Sequence, residues 1–330
     1  MSATVADGTD APRSSQLLSR YAGSIFWLAR QMERTENLAR ILDVTETFTR
    51  HARDEEGWLA VVRINADETR FCATHPAPTA QAVTHFYVLD RDNPTSIAAT
   101  LAQARENARL LRPLISTEMW SQINIFHNRM RQLTAADIAP SHLSQLCADI
   151  KQACQTHTGI TEGTFYRDAG WTFYMLGRHI ERADQITRLV DIKYHMLLPS
   201  ADAVGSALDV GQWHALLRAA AGYHAFRRNF PRDMTPAMVA GFLLLNHGFP
   251  RSLVHSVRLT QATLAQLRSS YRLRGADAAL ERLEDLSAVL TETSIDTLIA
   301  RGLHEFLDWV QRELIGLHAT IAARFWPAEG

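Results

Sequence analysis

Residues 26–43 read FWLARQMERTENLARILD, and 148 positions later residues 174–191 read YMLGRHIERADQITRLVD. The two stretches share Arg30/Arg178, Glu33/Glu181, Arg34/Arg182, Arg40/Arg188 and Asp43/Asp191, with Glu36 against Asp184 and Asn37 against Gln185. The common pattern is R-x-x-E-R-x-[ED]-[NQ]-x-x-R-x-x-D. At 3.6 residues per turn, Arg30, Glu33, Arg34, Asn37 and Arg40 fall on one arc about 120° wide. Ile25, Leu28, Met32, Leu38, Ala39 and Leu42 cover the opposite side. The second copy repeats the arrangement, with Arg178, Glu181, Arg182, Gln185 and Arg188 on one face.

A solvated helix face laced by ion pairs, each contributing about 0.2–0.5 kcal/mol, accounts for either copy alone. Two details favour burial. Large apolar residues interrupt the polar arc at matching places, Phe26, Ile41 and Val44 in one copy and Tyr174, Leu189 and Ile192 in the other. The second detail is the duplication itself. A buried Arg/Glu network is a weak net stabiliser, because desolvation offsets the Coulomb gain, yet losing one partner costs about 3–5 kcal/mol. Each Glu beside two Arg residues is expected to stay ionised. Over both arcs six Arg face two Glu, so a cleft between them offers spare guanidinium to a carboxylate or phosphate.

The rest of the chain reads as helix as well. Residues 1–14 form a flexible polar tail in this reading, followed by one helical domain over 15–330. The repeat helices are expected over 16–51 and 164–198. Residues 58–64 fit helix or strand equally, and the prolines of ATHPAPTA (73–80) mark a loop. Asn93-Pro94 reads as a helix start, Asn capping and Pro at the first helical position, with Pro113 ending that helix. Further helices are expected over 117–133, 141–157, 207–228, 236–247, 252–272, 276–292 and 296–325. Few segments alternate with a strand period. The fold class is therefore all-α, a multi-helix bundle with an internal pseudo-repeat.

Charge and composition exclude several functions. With 34 Lys+Arg against 35 Asp+Glu the net charge is -1, so nothing drives the whole chain toward nucleic acid or an anionic membrane. Lys151 and Lys193 are the only lysines, and the arginines that replace the others favour planar pairing with carboxylate or phosphate. Three cysteines make neither a disulfide framework nor a zinc pattern. Cys147 and Cys154 suit core packing. The opening residues lack a signal-peptide layout, and apolar runs such as Phe242–Leu245 are too short to span a bilayer. A cytoplasmic location is the expectation.

Metal and nucleotide motifs are missing. A di-metal helical bundle needs Glu-x-x-His on two helices, which no glutamate here provides. No His-Glu-x-x-His, Walker A or Gly-x-Gly-x-x-Gly sequence occurs, so neither a metal nor another cofactor is expected.

With these residues in hand, the chain resembles the bacterial alpha-E family, a helical family named for its Glu-Arg motif. The resemblance takes in both repeats, including Trp27 and Gly177. It continues through RDNPTSIAATLAQARENARLLRPLISTEMWSQIN (91–124), LLRAAAGYHAFRRNF (216–230) and FLLLNHGFPRSLVHSV (242–257). Asn246-His247 stand where the family pattern leads one to expect an acidic residue. The resemblance implies a partner that is a circularly permuted ATP-grasp protein, and in some cases a transglutaminase-like protein. ATP-grasp enzymes activate carboxylates as acyl phosphates and form amide bonds. Carried over position by position, the implied site comprises Arg30, Glu33, Arg34, Asn37, Arg40, Arg178, Glu181, Arg182 and Arg188, joined by Arg105, Asn107, Arg109, Arg112 and Arg251.

Arg105, Arg109 and Arg112 share a helix face at i, i+4 and i+7. They read either as surface arginines near a helix end or as part of an anion-receiving cleft. Pro250-Arg251-Ser252 similarly starts a helix whose free amides suit an anion. Two functions follow. In one, the Arg/Glu cleft binds or positions an anionic small molecule or peptide for amide formation, with Glu33 and Glu181 the candidate catalytic residues. In the other, the chain is a scaffold that docks the ATP-grasp or transglutaminase-like partner, and the ion pairs only fix helix register.

Overall fold

A computed structural model describes residues 19–49, 55–195, 207–232 and 234–327. The expected tail over 1–14 and the outer ends of both repeat helices lie outside the described residues. Among the described residues there are helices and no strand.

The two repeat segments form the longest helices, α1 (Ser19–Thr49) and α8 (Ala169–His195), and these pack against each other more extensively than any other pair. Between them in the chain come α2 (Glu55–Ile64), α3 (Glu68–Cys72), α4 (Ala80–Val88), α5 (Ile97–Leu110), α6 (Thr117–Arg131) and α7 (Pro140–Thr164). After them come α9 (Ala207–Ala219), α10 (Tyr223–Asn229), α11 (Pro236–Leu245), α12 (Leu253–Ser269), α13 (Asp277–Glu292), α14 (Ile295–Arg301) and α15 (Leu303–Phe325). Helices α5 and α7 lie on α1 with α6 against both. Helices α12 and α15 lie on α8 with α13 against both.

Local chemistry moves several boundaries. Residues 58–64 are helical, and the helix α4 follows directly on the proline loop, started by the Thr79 hydroxyl accepting from the Ala82 amide at 3.2 Å. The helix expected at Asn93 begins three residues later, because Ser96 supplies the cap, accepting from Ala99 N at 3.1 Å. Asn93 is instead turned inward, donating to the Phe86 carbonyl at 2.9 Å. The helix expected over 207–228 breaks at Ala221, which adopts φ 56. Likewise the last helix divides at Gly302, whose φ of 105 favours a residue without Cβ. Helix α7 runs on to Thr164, and α8 starts at Ala169 rather than 164.

Close approach sets the α1–α8 crossing. A Cβ added to Gly177 would lie 2.3 Å from the Phe26 carbonyl oxygen, so only glycine lets the two backbones meet there. From that point Arg30 meets Glu181, Glu33 meets Arg182 and Asn37 meets Gln185. Residue numbers rise together along both helices, so the pair is parallel. Phe26, Ile41, Val44, Tyr174, Leu189 and Ile192, which interrupt the polar arcs, are all buried.

Candidate functional site

The Arg/Glu faces of α1 and α8 meet inside the molecule, and their ion pairs cross over. Glu181 accepts from Arg30 Nε at 2.6 Å and from Arg34 Nε and Nη2 at 2.7 and 3.1 Å. Glu33 accepts from Arg182 Nε and Nη2 at 2.9 and 2.8 Å. The Glu-Arg dipeptide of each helix thus grips that of the other. Midway, Asn37 donates to Gln185 at 2.6 Å, and Gln185 donates on to Glu181 at 2.9 Å. Glu33 and Glu181 are 5% and 0% exposed, which places these charges beyond the reach of solvent screening.

A second layer of arginines ties this pair to the rest of the fold. Arg40 binds Glu36 one turn back and donates to the Ala219 carbonyl at the end of α9, at 2.9 Å. Arg188 does the same with Asp184 and with the Ile64 carbonyl at the end of α2. Each guanidinium therefore caps the C-terminus of a neighbouring helix, where unpaired carbonyls favour positive charge. Arg251 reaches in from the turn before α12, donating to Glu33 at 2.9 Å and to Glu36 at 2.6 Å. Its role is that of a clamp. The helix start beside it is capped by Ser252, which accepts from the His255 amide at 3.2 Å.

Charge balance differs between the two clusters. Burial would raise the carboxyl of Glu33, but Arg182, Arg251 and Arg178 together hold it far below the usual carboxylate range. Around Glu181 burial is likewise outweighed, by Arg34 and Arg30, and the carboxyl falls to about 2. The guanidinium of Arg34 is raised, chiefly by Glu181. Arg182 is lowered, first by burial and then, against the pull of Glu33, by Arg251 and Arg178 crowded onto the same carboxylate. Arg178 stands 3.7 Å from Glu33 and turns to Glu162 at 3.1 Å, and its Nε has no hydrogen-bond partner.

Around Glu33 the network leaves little space among the described residues. The cavity among Glu33, Asn37, Arg40, Arg182, Gln185 and Arg251 measures about 10 Å³, and that beside Glu33, Glu36, Cys154 and Arg178 is nil. One water needs roughly 10–15 Å³. Three histidines pack round the network with one ring nitrogen each unpartnered, and burial keeps them neutral: His157 and His318 fall to about 4 and His179 to about 3. Burial also raises the thiols of Cys147 and Cys154, which suppresses their reactivity.

The four residues carried over from 105–112 lie at or beyond the network's edge. Asn107 touches the network's edge, donating to Gln31 on α1 at 2.9 Å. Arg105 binds Asn124 on α6 at 2.7 Å and lies 5.5 Å from the Trp120 ring centroid. Arg112 covers the same ring at 5.4 Å, and Arg109 pairs with Glu106 at 2.7 Å on the surface. The structure brings together Arg30, Glu33, Arg34, Asn37, Arg40, Arg178, Glu181, Arg182, Arg188 and Arg251, and leaves Arg105, Arg109 and Arg112 outside. Sequence reasoning passed over Glu36, Asp184 and Gln185 as site residues. Their signal was present, since each matches across the repeat and Glu36 and Asp184 stand four residues before Arg40 and Arg188. Elsewhere, oxygens or nitrogens of Asp191, His304 and Asp308 lie within 4.8 Å of one another, with His304 Nδ1 at 2.8 Å from Asp191.

An all-helical protein organised about a crossed pair of Glu-Arg helices is the class these features define. The chain belongs to the Alpha-E family, described as an alpha-helical domain with a conserved ER motif, which it matches over residues 17–326. An uncharacterised protein of Mycobacterium bovis (strain ATCC BAA-935 / AF2122/97) is 24% identical over 340 aligned residues, covering 95% of this chain and 36% of the relative. An uncharacterised protein of Mycobacterium tuberculosis (strain CDC 1551 / Oshkosh) is similar to the same extent. The chain thus spans about a third of the length of the curated relatives it matches. No solved structure matches it. Among the described residues no helix is long and apolar enough to cross a membrane.

Proposed function

We propose that the chain is a helical docking module of an amide- or peptide-forming system, holding an ATP-grasp or transglutaminase-like partner while the Arg/Glu network locks its own helices in register. The filled interior carries this reading. A substrate-binding cleft needs a vacancy where guanidinium meets ligand, and the network leaves about 10 Å³. Its carboxylates are spent on guanidiniums and on the Gln185 amide, which suits a fixed register better than proton transfer. Low carboxyl pKa values also make Glu33 and Glu181 poor general bases. The longer mycobacterial relatives fit a module that works beside other domains. The partner's chemistry comes from the family resemblance: an enzyme that activates a carboxylate as an acyl phosphate.

Binding of an anionic substrate at the network is the second reading, and one observation favours it: the buried Arg178 Nε without an acceptor. Co-expression with a circularly permuted ATP-grasp protein from the same organism tests the docking reading. A complex that persists through size-exclusion chromatography is expected. Elution of the two proteins apart at micromolar concentration contradicts it.

A further inference from the structure

The groove between α5 and α6 contains arginines in the opposite condition to those of the interior. The two helices run antiparallel: Arg105 meets Asn124, while Ala98 and Ala102 near the start of α5 face His127 and Met130 near the end of α6. At that end the groove opens into a cavity of about 340 Å³, within the roughly 300–1,000 Å³ range of small-molecule sites. Leu89, Ala102, Met130 and Leu133 make its apolar wall, and Arg91, His127 and Arg131 supply its polar groups. No carboxylate lines it.

Three features of these polar groups point the same way. Neither Arg91 nor Arg131 makes an ion pair with a carboxylate among the described residues, although the nearby Asp90 carboxylate is engaged by the Asp92 and Asn93 amides. His127 lines the same cavity, with its Nδ1 shielded from solvent. Burial, and then the charges of Arg105, Arg131 and Arg91 acting against a hydrogen bond with Asn128, lower the pKa of that ring, so the cavity carries positive potential without a resident counter-charge. Arg131 by itself is explained by its place in the last turn of α6, where the helix dipole favours a cation. Arg91 sits in a loop and has no such reason to be there.

We infer that this cavity is a binding site for a small oxyanion, phosphate or carboxylate, carried on a compact apolar body. The two guanidiniums grip the anion beside the His127 ring, and the aliphatic wall takes the apolar part. The site is separate from the α1–α8 network.

Isothermal titration of the whole chain with phenyl phosphate, benzoate, inorganic phosphate and phenol tests it. Phenyl phosphate or benzoate should bind, and which of them does identifies the oxyanion. Inorganic phosphate should bind at least about tenfold more weakly for want of the apolar contact, and phenol should give no heat. The double variant Arg91→Met/Arg131→Met, changed at exposed positions, should weaken the aromatic anion at least about tenfold while its melting temperature stays put. In the unsubstituted protein the His127 ring nitrogen resonances should shift on titration. No heat with either aromatic anion up to about 5 mM overturns the proposal, as does affinity unchanged in the double variant or a His127 signal that stays still while the anion binds.

Discussion

The two Arg-rich regions use one residue type for opposite ends. Between α1 and α8, seven arginines meet four carboxylates at depth, and all seven are paired there. Along the α5–α6 groove, Arg105 and Arg112 lie against Trp120, Arg109 holds an exposed Glu106, and Arg91 and Arg131 hold no carboxylate. An arginine on a helix face carries the same sequence signature in both places. Depth and the supply of carboxylate decide the outcome. Where each guanidinium has a carboxylate within reach and water is excluded, the arrangement fixes geometry. Where they are lacking at a cavity mouth, charge is left over for something else.

Acid should expose the contrast most strongly. Glu181 is ordinarily near 4.5 and falls to about 2 in the fold, so its stabilising share is complete above 4.5 and is lost as pH drops toward 2. His157, His179 and His318, ordinarily near 6.5 and lowered to about 4, 3 and 4, also stabilise the fold above 6.5 and cease to do so on acidification. Both effects have the same sign. Urea unfolding followed from pH 7 down should show stability declining from about pH 6.5 and collapsing below about 4. A flat profile between pH 7 and 4 contradicts the buried placement.

Next in size is Glu33→Gln, which strands Arg178, Arg182 and Arg251 around a neutral amide. Removing one partner from a buried pair costs about 3–5 kcal/mol, so the variant should be strongly destabilised in urea rather than merely inactive. Gly177→Ala drives a Cβ into the Phe26 carbonyl, and overpacking of this kind costs about 1–3 kcal/mol or more. Circular dichroism melts will show whether the helices part. Asn37→Ala leaves the Gln185 oxygen without its donor, for a loss of about 1–3 kcal/mol. At the small end, Arg109→Ala removes an exposed pair and should change stability by less than about 0.5 kcal/mol. A loss comparable to that of Asn37→Ala would erase the distinction between groove and interior.

Much of this was legible in the sequence. Matching apolar residues at Phe26/Tyr174, Ile41/Leu189 and Val44/Ile192 signalled that the charged faces were covered, because a solvated face has no use for them. That the two faces cover each other is a pairing in space, which periodicity does not encode. Gly177 carried the hint, but its partner, the Phe26 carbonyl, is backbone and leaves no side-chain signature. The reach of Arg251 into the network from 215 or more positions away was suggested only by family resemblance. Helix ends were misplaced where Ser96, three residues beyond Asn93, took the cap, and where Ala221 and Gly302 turned the chain through positive φ. The cavity at Arg91, His127 and Arg131 was hidden for a similar reason, since it is assembled from a loop and two helix ends.

Everything turns on whether the crossed Glu–Arg grips are a closed structural device. Chemical denaturation of Glu181→Gln beside Glu181→Gln/Arg30→Met examines this most directly. If the network is closed and buried, the single variant loses about 3–5 kcal/mol. The double variant then recovers part of that loss, because it withdraws one of the two guanidiniums left without a carboxylate. A single variant as stable as the parent protein, with the double variant no different, would mean that Glu181 sits in water and that the interior described above does not exist.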